Sequence, residues 1–536
     1  MSNNSKFDDL LTQLGTSKWN IIYFLAASFW VLLVPPQFIS GVYLAPAVNY
    51  TCRPPESEEI VQISKDSCYY STNMSSSLGL EDEPCTEWDF DTSVFTSTLT
   101  SEFSLVCKRD HLRATYQSIY MMGTIFSPLL AGYLADRYGR WRVVLVIQLM
   151  ASTLAISLCF IQSFTFIVVA RFVLGTVNLP TFFILALEVC EPKNRGLVGI
   201  VMGLPWALGT MLWGALAYCI REWRWLQAAV SFPILLTLIP TYFIDESPRW
   251  LIVNGHYDKA LKVLEKASRW NKVSLPPEED LRALMRNIQE ESATAATAKE
   301  SVQEGSEKFF KKLSRFLSLP GLLSNRVITV VTVIVCLDYF TASLVFDGLN
   351  LSGDNYSADP FLYIVLGGLM EVPGYTITGP IIDRWGRRVP TALSFIICSI
   401  LLLTLTFIPS GLSWLVVTLA LAGKVCISGA FQLIYVYGSE LFPTEVRLQG
   451  LGAASVSAQL ASVILPYITT YLGPLVPWAP SVIFSSMSLM AGVTSMVLHE
   501  TAGEVLPDTI TDLKNIGSRR NQEKNAESTE IEQTRF

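Results

Sequence analysis

The sequence predicts an all-α, polytopic membrane protein with twelve transmembrane helices arranged as two related halves. Of its 536 residues, 51% are hydrophobic and only 16% are charged, whereas about a quarter of the residues in a soluble protein are charged. Apolar runs of about 20 residues recur, and each is long enough to cross roughly 30 Å of hydrocarbon as a helix. A charged phrase that occurs twice predicts the two halves.

Twelve apolar runs give the predicted spans, numbered 1 to 12 along the chain. They cover residues 20–44, 112–134, 142–162, 165–188, 197–220, 225–244, 327–349, 358–381, 389–408, 412–437, 449–471 and 477–497. The two halves are therefore residues 20–244 and 327–497. Residues 1–19 form a polar N-terminus, 245–326 a charged linker with a helical pattern, and 498–536 a polar tail predicted to be disordered. The first run is too long for a cleaved signal peptide.

A polar segment between spans 1 and 2, residues 45–111, is here called the cysteine loop. It holds four of the ten cysteines, which are Cys52, Cys68, Cys85 and Cys107. It also contains the glycosylation sequons that begin at Asn49 and Asn73. Clustered cysteines beside sequons predict an extracellular or lumenal loop that is disulfide-bonded and glycosylated. Four cysteines can pair in three ways, and the sequence does not choose among them.

Basic residues predict the orientation. With the cysteine loop outside, the inner loops contain a series of Lys and Arg residues, namely Arg137, Arg140, Arg142, Lys193, Arg195, Arg384, Arg387, Arg388 and Arg447. This agrees with the usual excess of Lys and Arg on the cytoplasmic side of membrane proteins. Both termini are then cytoplasmic, and we expect a multi-pass protein of the plasma membrane.

The charged phrase is "GYLADRYGRW" at residues 132–141, and it recurs as "GPIIDRWGRR" at residues 379–388, 247 residues later. The first copy follows span 2 and the second follows span 8. A second pair of charges, seven residues apart in each copy, repeats at a similar offset as Glu188 with Arg195 and Glu440 with Arg447. Two copies of a six-span unit in parallel orientation are the repeat pattern of one large transporter class.

The repeated charges predict a network at the cytoplasmic face that forms when an inner gate is closed and breaks when it opens. Its members are Asp136, Arg140, Glu188, Arg195, Asp383, Arg387, Glu440 and Arg447. Gly132 and Gly379 are expected to allow close helix approach, and Gly139 and Gly386 a tight turn. The alternative is that these charges fix the orientation only.

These residues resemble the major facilitator superfamily, whose signature between helices two and three has the form G-x-L-x-D-R-x-G-R. A finer resemblance is to its organic cation, anion and zwitterion transporter family, solute carrier family 22. It rests on five further stretches: "CTEWDFDTSVFTSTLTSEFSLVC" (85–107), "WRWLQ" (223–227), "ESPRWLIVNGHYDKA" (246–260), "SELFPTEVRLQGLG" (439–452) and "HETAGEVLP" (499–507). The resemblance implies a major facilitator fold and secondary transport by alternating access, with the substrate bound between the halves.

The resemblance also gives candidate substrate residues. Glu371 in span 8 stands where cation and carnitine-type members have a glutamate, and Tyr375 stands where anion members have a lysine. Gln459 in span 11 stands where cation members have an aspartate and where anion and carnitine-type members have an arginine. Asp347 in span 7 replaces a glutamine or tyrosine of the family pattern. An ionisable residue inside a membrane span is itself a functional candidate. The alternatives are a hydrogen bond to a neighbouring helix for Glu371, a polar contact between packed helices for Gln459, and a position in water at the outer membrane surface for Asp347.

Three aromatic residues, Phe346, Trp206 and Tyr435, fall near positions that line the family's central cavity, and aromatic faces attract ammonium groups. Packing within the helices is the alternative role for each of them. With two carboxylates and no lysine or arginine that matches the anion branch, the sequence favours transport of an organic cation or zwitterion. An organic anion transporter and a non-transporting receptor or sensor of the same fold remain as alternatives.

Several other classes are disfavoured. The sequence contains no HExxH, GxSxG or Cys/His metal-ligand spacing, and Gly423-Lys424 in span 10 lacks the rest of a Walker A motif. We therefore expect neither an enzyme nor a cofactor, metal or nucleic-acid site. Coupling to sodium or to a proton stays open, because the sequence does not show whether an ion is coupled to transport. The final residues "QTRF" resemble a ligand of PDZ domains through Thr534 and Phe536, with an inert tail as the alternative.

Overall fold

The computed structural model of the chain describes most of both halves. The described residues are 6–53, 60–63, 68–73, 80–178, 181–300, 322, 325–356, 359–409, 412–444 and 446–503. Thr534 and Phe536, the predicted PDZ ligand, lie outside these residues. The first residues of the predicted tail pack against the protein, since Leu498 is buried and Glu500 accepts backbone hydrogen bonds.

All six predicted spans of the first half are helical, and four of them are interrupted. Their helices are Lys18–Leu32, Pro35–Phe38 and Gly41–Leu44 for span 1, His111–Tyr138 for span 2, Arg140–Ser157 for span 3, Phe164–Val177 and Thr181–Glu188 for span 4, Arg195–Val201 and Gly203–Cys219 for span 5, and Trp223–Leu236 and Leu238–Phe243 for span 6. Span 1 breaks where Pro35 and Pro36 follow Leu33, because proline cannot continue the helical hydrogen-bond pattern. Span 2 bends by 41° after Pro128 for the same reason.

The spans of the second half are more regular. They are Arg326–Leu351, Pro360–Trp385, Arg388–Leu405, Ser413–Leu441, Arg447–Tyr467 with the π-helical turn Ile468–Leu472, and Ala479–Ser495 for spans 7 to 12. Among the described residues, ten helical segments are long and apolar enough to cross a membrane, and the bent span 2 brings this to eleven. Span 12 has 17 residues. Each predicted span therefore has its helix, and the predicted twelve-helix fold is confirmed.

The cysteine loop departs from an all-α description because it contains five short strands. They are β1 Tyr50–Arg53, β2 Ile60–Ile63, β3 Tyr69–Asn73, β4 Leu80–Pro84 and β5 Glu87–Phe90. Strand β1 pairs with β5, and β2, β3 and β4 form a second antiparallel sheet. The disulfides Cys52–Cys85 and Cys68–Cys107 select one of the three open pairings. Asn49 is exposed, whereas the side chain of Asn73 lies outside the described residues.

The loop and the repeated phrases mark opposite faces of the helical bundle. We call the face with the cysteine loop the loop face, and the face with the two D-R-x-G-R phrases the motif face. On the motif face, the N-terminal helix Lys6–Leu14 packs with the linker helices Pro248–Val253, Tyr257–Asn271 and Glu278–Glu300. The apolar side of the N-terminal helix, formed by Phe7, Leu10, Leu11 and Leu14, is buried in this cluster.

The disulfide pairing gives a direct test of the loop structure. Replacing Cys52 with serine is expected to release Cys85 as a free thiol while Cys68 stays joined to Cys107, because the two bridges share no cysteine. Thiol alkylation followed by mass spectrometry of non-reduced peptides identifies the free cysteine. In the matched variant Cys107→Ser, Cys68 should become free instead, and a peptide that joins Cys85 to Cys68 would contradict the structure.

Candidate functional site

The first repeated phrase forms a turn between spans 2 and 3. A glutamate that follows span 6, Glu246, accepts hydrogen bonds from this turn. Gly139 joins spans 2 and 3 with φ of +97°. One oxygen of Glu246 accepts hydrogen bonds from the backbone N–H groups of Arg140 (2.7 Å) and Trp141 (3.0 Å), at the start of span 3. A Cβ atom on residue 139 would lie 2.2 Å from the second oxygen of Glu246. Both the positive φ and the lack of space therefore require glycine here.

The second phrase repeats this arrangement. Gly386 has φ of +79°, and the Glu500 carboxylate accepts hydrogen bonds from the N–H groups of Arg387 (2.8 Å) and Arg388 (3.0 Å). A Cβ atom on residue 386 would lie 2.7 Å from this carboxylate. Burial alone would raise the pKa of Glu500, but four backbone N–H donors lower it below the usual value, so this carboxyl stays charged.

Each phrase also contributes an arginine that pairs within its own half. Arg140 lies 3.2 Å from Asp136 and 3.2 Å from Glu188. Arg387 lies 3.1 Å from Glu440, which also accepts a hydrogen bond from Thr501. Four members of the predicted network are thus brought together as the pairs Arg140–Glu188 and Arg387–Glu440, in matching positions of the two halves.

Other members of the predicted network lie apart from it. Arg195 pairs with Asp8 of the N-terminal helix at 2.7 Å instead of joining Glu188. Arg447 donates to the carbonyl of Phe442 at 3.1 Å instead of joining Glu440. Asp383 is exposed and forms no ion pair within the described residues. The sequence interpretation of one continuous network is therefore replaced by separate pairs, each confined to one half.

The two halves contact each other where span 2 packs against span 11 and span 5 against span 8. Four side-chain hydrogen bonds join them: Tyr43 to the Pro360 carbonyl (3.0 Å), Thr115 to Tyr467 (3.2 Å), Ser118 to the Val463 carbonyl (2.8 Å) and Thr124 to Gln459 (2.7 Å). Towards the motif face, a Cβ atom on Gly132 would have no neighbour within 4 Å. The predicted close approach at Gly132 is therefore absent in this conformation.

A buried ion pair lies inside the second half. The Lys424 Nζ atom of span 10 is 3.0 Å from Oε1 of Glu371 in span 8, and both side chains are fully buried. Lys424 also donates a hydrogen bond to the Asn350 side-chain oxygen, and the hydroxyl of Tyr375 lies 3.4 Å from the second Glu371 oxygen. A charge inside a protein in a membrane is costly unless it is paired in this way.

Asp347 is the second predicted carboxylate, and it lies close to this pair. Its side chain is only 3% exposed, so the alternative of a position in water at the membrane surface is wrong. One carboxylate oxygen accepts hydrogen bonds from Ser462 (2.6 Å) and Ser343 (3.4 Å). Within the described residues it forms no ion pair, although Lys424 and Glu371 are both near enough to interact with it electrostatically.

The remaining predicted residues divide between this cluster and the interface of the halves. Phe346 is buried, and the Lys424 ammonium lies 5.6 Å from the centre of its ring. Gln459 belongs to the interface through its hydrogen bond with Thr124. Tyr435 is 54% exposed beside Phe431. Trp206 of the first half is partly buried and packs on Phe38.

Sequence reasoning missed several buried charges. It considered Lys424 only as part of an ATP-binding motif, although a lysine in the middle of a span is itself a functional signal. It also missed Arg171 of span 4, which is fully buried, lies 4.7 and 4.4 Å from the ring centres of Tyr116 and Tyr120, and donates to the carbonyl of Gln37. The charge balance drawn from the sequence therefore left out one buried cation in each half.

Glu246 and Glu500 were missed as well, and here a signal was available. Both directly follow the last span of a half, and their spacing of 254 residues is close to the 247 residues between the two phrases. Repeat spacing applied to every acidic residue outside the spans would have identified this pair.

Comparisons with known proteins agree with this architecture. The family "Sugar (and other) transporter" matches residues 90–510. An "Organic cation transporter protein" of Drosophila melanogaster is 30% identical, with 97% of each chain covered. "Solute carrier family 22 member 6" of Danio rerio is 27% identical over 97% of this chain and 96% of the relative. A partially occluded, inward-open structure of the xylose transporter XylE from E. coli aligns with a TM-score of 0.61 at 16% identity, covering 91% of this chain and all of that one.

The family match covers most of the chain and includes spans 2 to 12, both repeated phrases and Glu246 and Glu500. The relatives are transporters, and members of this family are not enzymes. The solved structure shares the twelve-helix fold. The chain is therefore a multi-pass membrane transporter of organic solutes that belongs to the sugar (and other) transporter family, in the solute carrier family 22 group of the major facilitator superfamily.

Proposed function

We propose that this protein carries small organic cations, or zwitterions that bear an ammonium group, across the plasma membrane by alternating access. The observation that supports this most directly is the charge balance of the buried cluster. Glu371 and Asp347 supply two carboxylates, whereas Lys424 supplies one ammonium. One negative charge is left over in a place where water is excluded, and a cationic ligand compensates it.

Aromatic side chains near the cluster suit the same ligand. Phe346 presents its ring to the Lys424 ammonium, and Phe431 and Tyr435 continue the aromatic surface towards the interface between the halves. A cation over an aromatic face is stabilised by about 0.5–2 kcal/mol, more when both groups are desolvated. Tyr435 is exposed enough to meet a ligand that enters between the halves.

Gln459 gives the interface a polar but uncharged group. It bridges the halves through Thr124 at 2.7 Å, and an amide can donate to a carboxylate or accept from an ammonium group. This supports zwitterions alongside simple cations. Arg171 does not cancel the surplus charge of the cluster, because its guanidinium is held in the first half by two tyrosine rings and the Gln37 carbonyl.

For the transport cycle we propose that each half moves as a rigid body. The pairs Arg140–Glu188 and Arg387–Glu440, with Glu246 and Glu500, fasten helices within a half, and they are formed in a conformation that leaves open space beside Gly132. The loop face is proposed to be extracellular and both termini cytoplasmic, because the disulfides and the exposed sequon at Asn49 lie on the loop face. Opening to the outside would then break the four hydrogen bonds between the halves.

The presence of a buried lysine, Lys424, favours a second candidate function, the transport of organic anions. A buried lysine attracts a carboxylate when its own partner moves away. In this structure Glu371 already neutralises it at 3.0 Å, so the cation function is the better supported of the two.

An uptake panel tests the proposed function. In cells that express the full chain, we expect saturable, trans-stimulated uptake of tetraethylammonium, carnitine or ergothioneine, and little uptake of salicylate, with and without sodium to reveal ion coupling. Uptake of salicylate alone would contradict the proposal and favour the anion transporter. Saturable binding without any flux would indicate a receptor or sensor.

Removing the charge of Glu371 and that of Asp347 is expected to lower the affinity for a cationic ligand by different amounts. Glu371→Gln should lower the affinity for tetraethylammonium by roughly tenfold or more, because removing one member of a buried charge cluster costs several kcal/mol. Asp347→Asn should have a smaller effect, since its hydroxyl partners also hydrogen-bond an amide. Concentration dependence of uptake, normalised to the amount at the cell surface, measures both. Equal loss for cationic and uncharged ligands would point to folding instead.

The two ion pairs of Arg140, with Asp136 and with Glu188, are expected to contribute unequally to the rate of transport. Glu188 and Arg140 are each 16% exposed, whereas Asp136 is 59% exposed. An exposed pair is worth about 0–1 kcal/mol, so Asp136→Asn should slow maximal uptake less than threefold. Glu188→Gln should slow it by roughly tenfold, because it leaves Arg140 without its shielded partner. Initial rates at saturating substrate and equal surface amounts test this order, and a slower Asp136 variant would reverse the assignment.

A further inference from the structure

The Lys424 ammonium occupies a small cage in the second half. The cage consists of the Glu371 carboxylate at 3.0 Å, the side-chain oxygen of Asn350 and the ring of Phe346 at 5.6 Å. Gly367 leaves room for the ammonium, since a Cβ atom there would lie 2.8 Å from Nζ. Lys424, Glu371 and Asn350 are all buried.

A carboxylate, an amide oxygen and an aromatic face are the groups by which a protein recognises an organic ammonium ion. The groups needed to bind the substrate's ammonium are therefore all present, but the ammonium of Lys424 occupies the site they form. While Lys424 stays there, a second cation cannot approach Glu371 without strong repulsion.

We propose that Lys424 is a resident cation that neutralises Glu371 in the empty transporter and is displaced by the ammonium group of the substrate. This rests on the proposed transport of cations or zwitterions. Lysine suits the role because its ammonium is a compact charge on a flexible four-carbon stem. Asp347 gives the displaced ammonium a destination, since its carboxylate is within electrostatic reach and forms no ion pair in the described structure.

Displacement has two consequences for the transport cycle. The resident cation competes with the substrate, so it lowers the apparent affinity for organic cations. It also keeps the buried Glu371 compensated when the site is empty, because an unpaired charge in a low-dielectric interior costs several kcal/mol. The empty transporter can then change conformation, which net uptake requires and exchange of internal for external substrate does not.

The test compares net uptake with exchange in proteoliposomes that contain the full-length protein, with tetraethylammonium as the probe. Lys424→Gln should lower KM by roughly tenfold, reduce net uptake by a similar factor, and leave exchange near the wild-type rate. The double variant Glu371→Gln/Lys424→Gln serves as the matched control, because it removes both charges of the pair together. A raised KM, or an equal loss of net uptake and exchange, would overturn the proposal.

The double variant Glu371→Gln/Lys424→Gln keeps the test decisive if Lys424→Gln alone fails to fold. It has no unpaired charge at this position, so it should bind tetraethylammonium weakly and recover the wild-type ratio of net uptake to exchange. A ratio that stays below the wild-type value would overturn the proposal. The proposed function fails separately, when the wild type carries salicylate but not tetraethylammonium. If the wild type carries tetraethylammonium and Lys424→Gln changes neither KM nor the ratio, only this inference fails.

Discussion

The constraint on which the rest of this structure depends is that every charge inside the membrane must be compensated by the protein itself. The chain meets it in three ways. Glu371 and Lys424 form a fully buried pair at 3.0 Å. Asp347 relies on the hydroxyl groups of two serines, and Arg171 on two tyrosine rings and a carbonyl. Asp338 of span 7 is buried as well, and among the described residues it accepts a hydrogen bond from one serine only, Ser495 at 2.9 Å. The two aspartates are therefore compensated less completely than Glu371, and Asp347 is the one beside the candidate substrate site.

The same physics shapes the motif face, where spans 3 and 9 begin. The first N–H groups of a helix have no partner within the helix, and here Glu246 and Glu500 accept hydrogen bonds from them. Their carboxylates also meet the positive end of the helix dipole. The glycine before each helix leaves space for the carboxylate. Each phrase is thus held by a carboxylate from its own half. The motif can therefore occur once in each half, because neither copy needs a contact with the other.

The sequence was sufficient for the fold because span length and apolar character are local properties of the chain. The twelve spans, the two halves and the charged residues of the motif face could be read from run lengths and repeat spacing. The pairing of those charges could not, since the spacing coupled Glu188 with Arg195, whereas the structure pairs Glu188 with Arg140. The partners of Lys424 and Arg195 could not be read from the sequence. Lys424 meets Glu371 from a different span, and Arg195 meets Asp8 at a distance of 187 residues along the chain. Which side of a helix faces which neighbour depends on the packing of all the helices, and that is not a local property.

The distribution of strong and weak contacts also explains how a transporter can have two conformations of similar free energy. Each described ion pair of the motif face lies within one half, so moving the halves apart breaks none of them. The side-chain hydrogen bonds that cross the interface among the described residues join uncharged groups, and each is worth about 0.5–1.5 kcal/mol. The rest of the interface is mainly packing of span 2 against span 11 and of span 5 against span 8, so no ion pair among the described residues has to be broken when the halves separate. A cation bound at Glu371 acts on this balance, because it changes the charge of the second half without disturbing Arg387–Glu440, the ion pair of that half at the motif face.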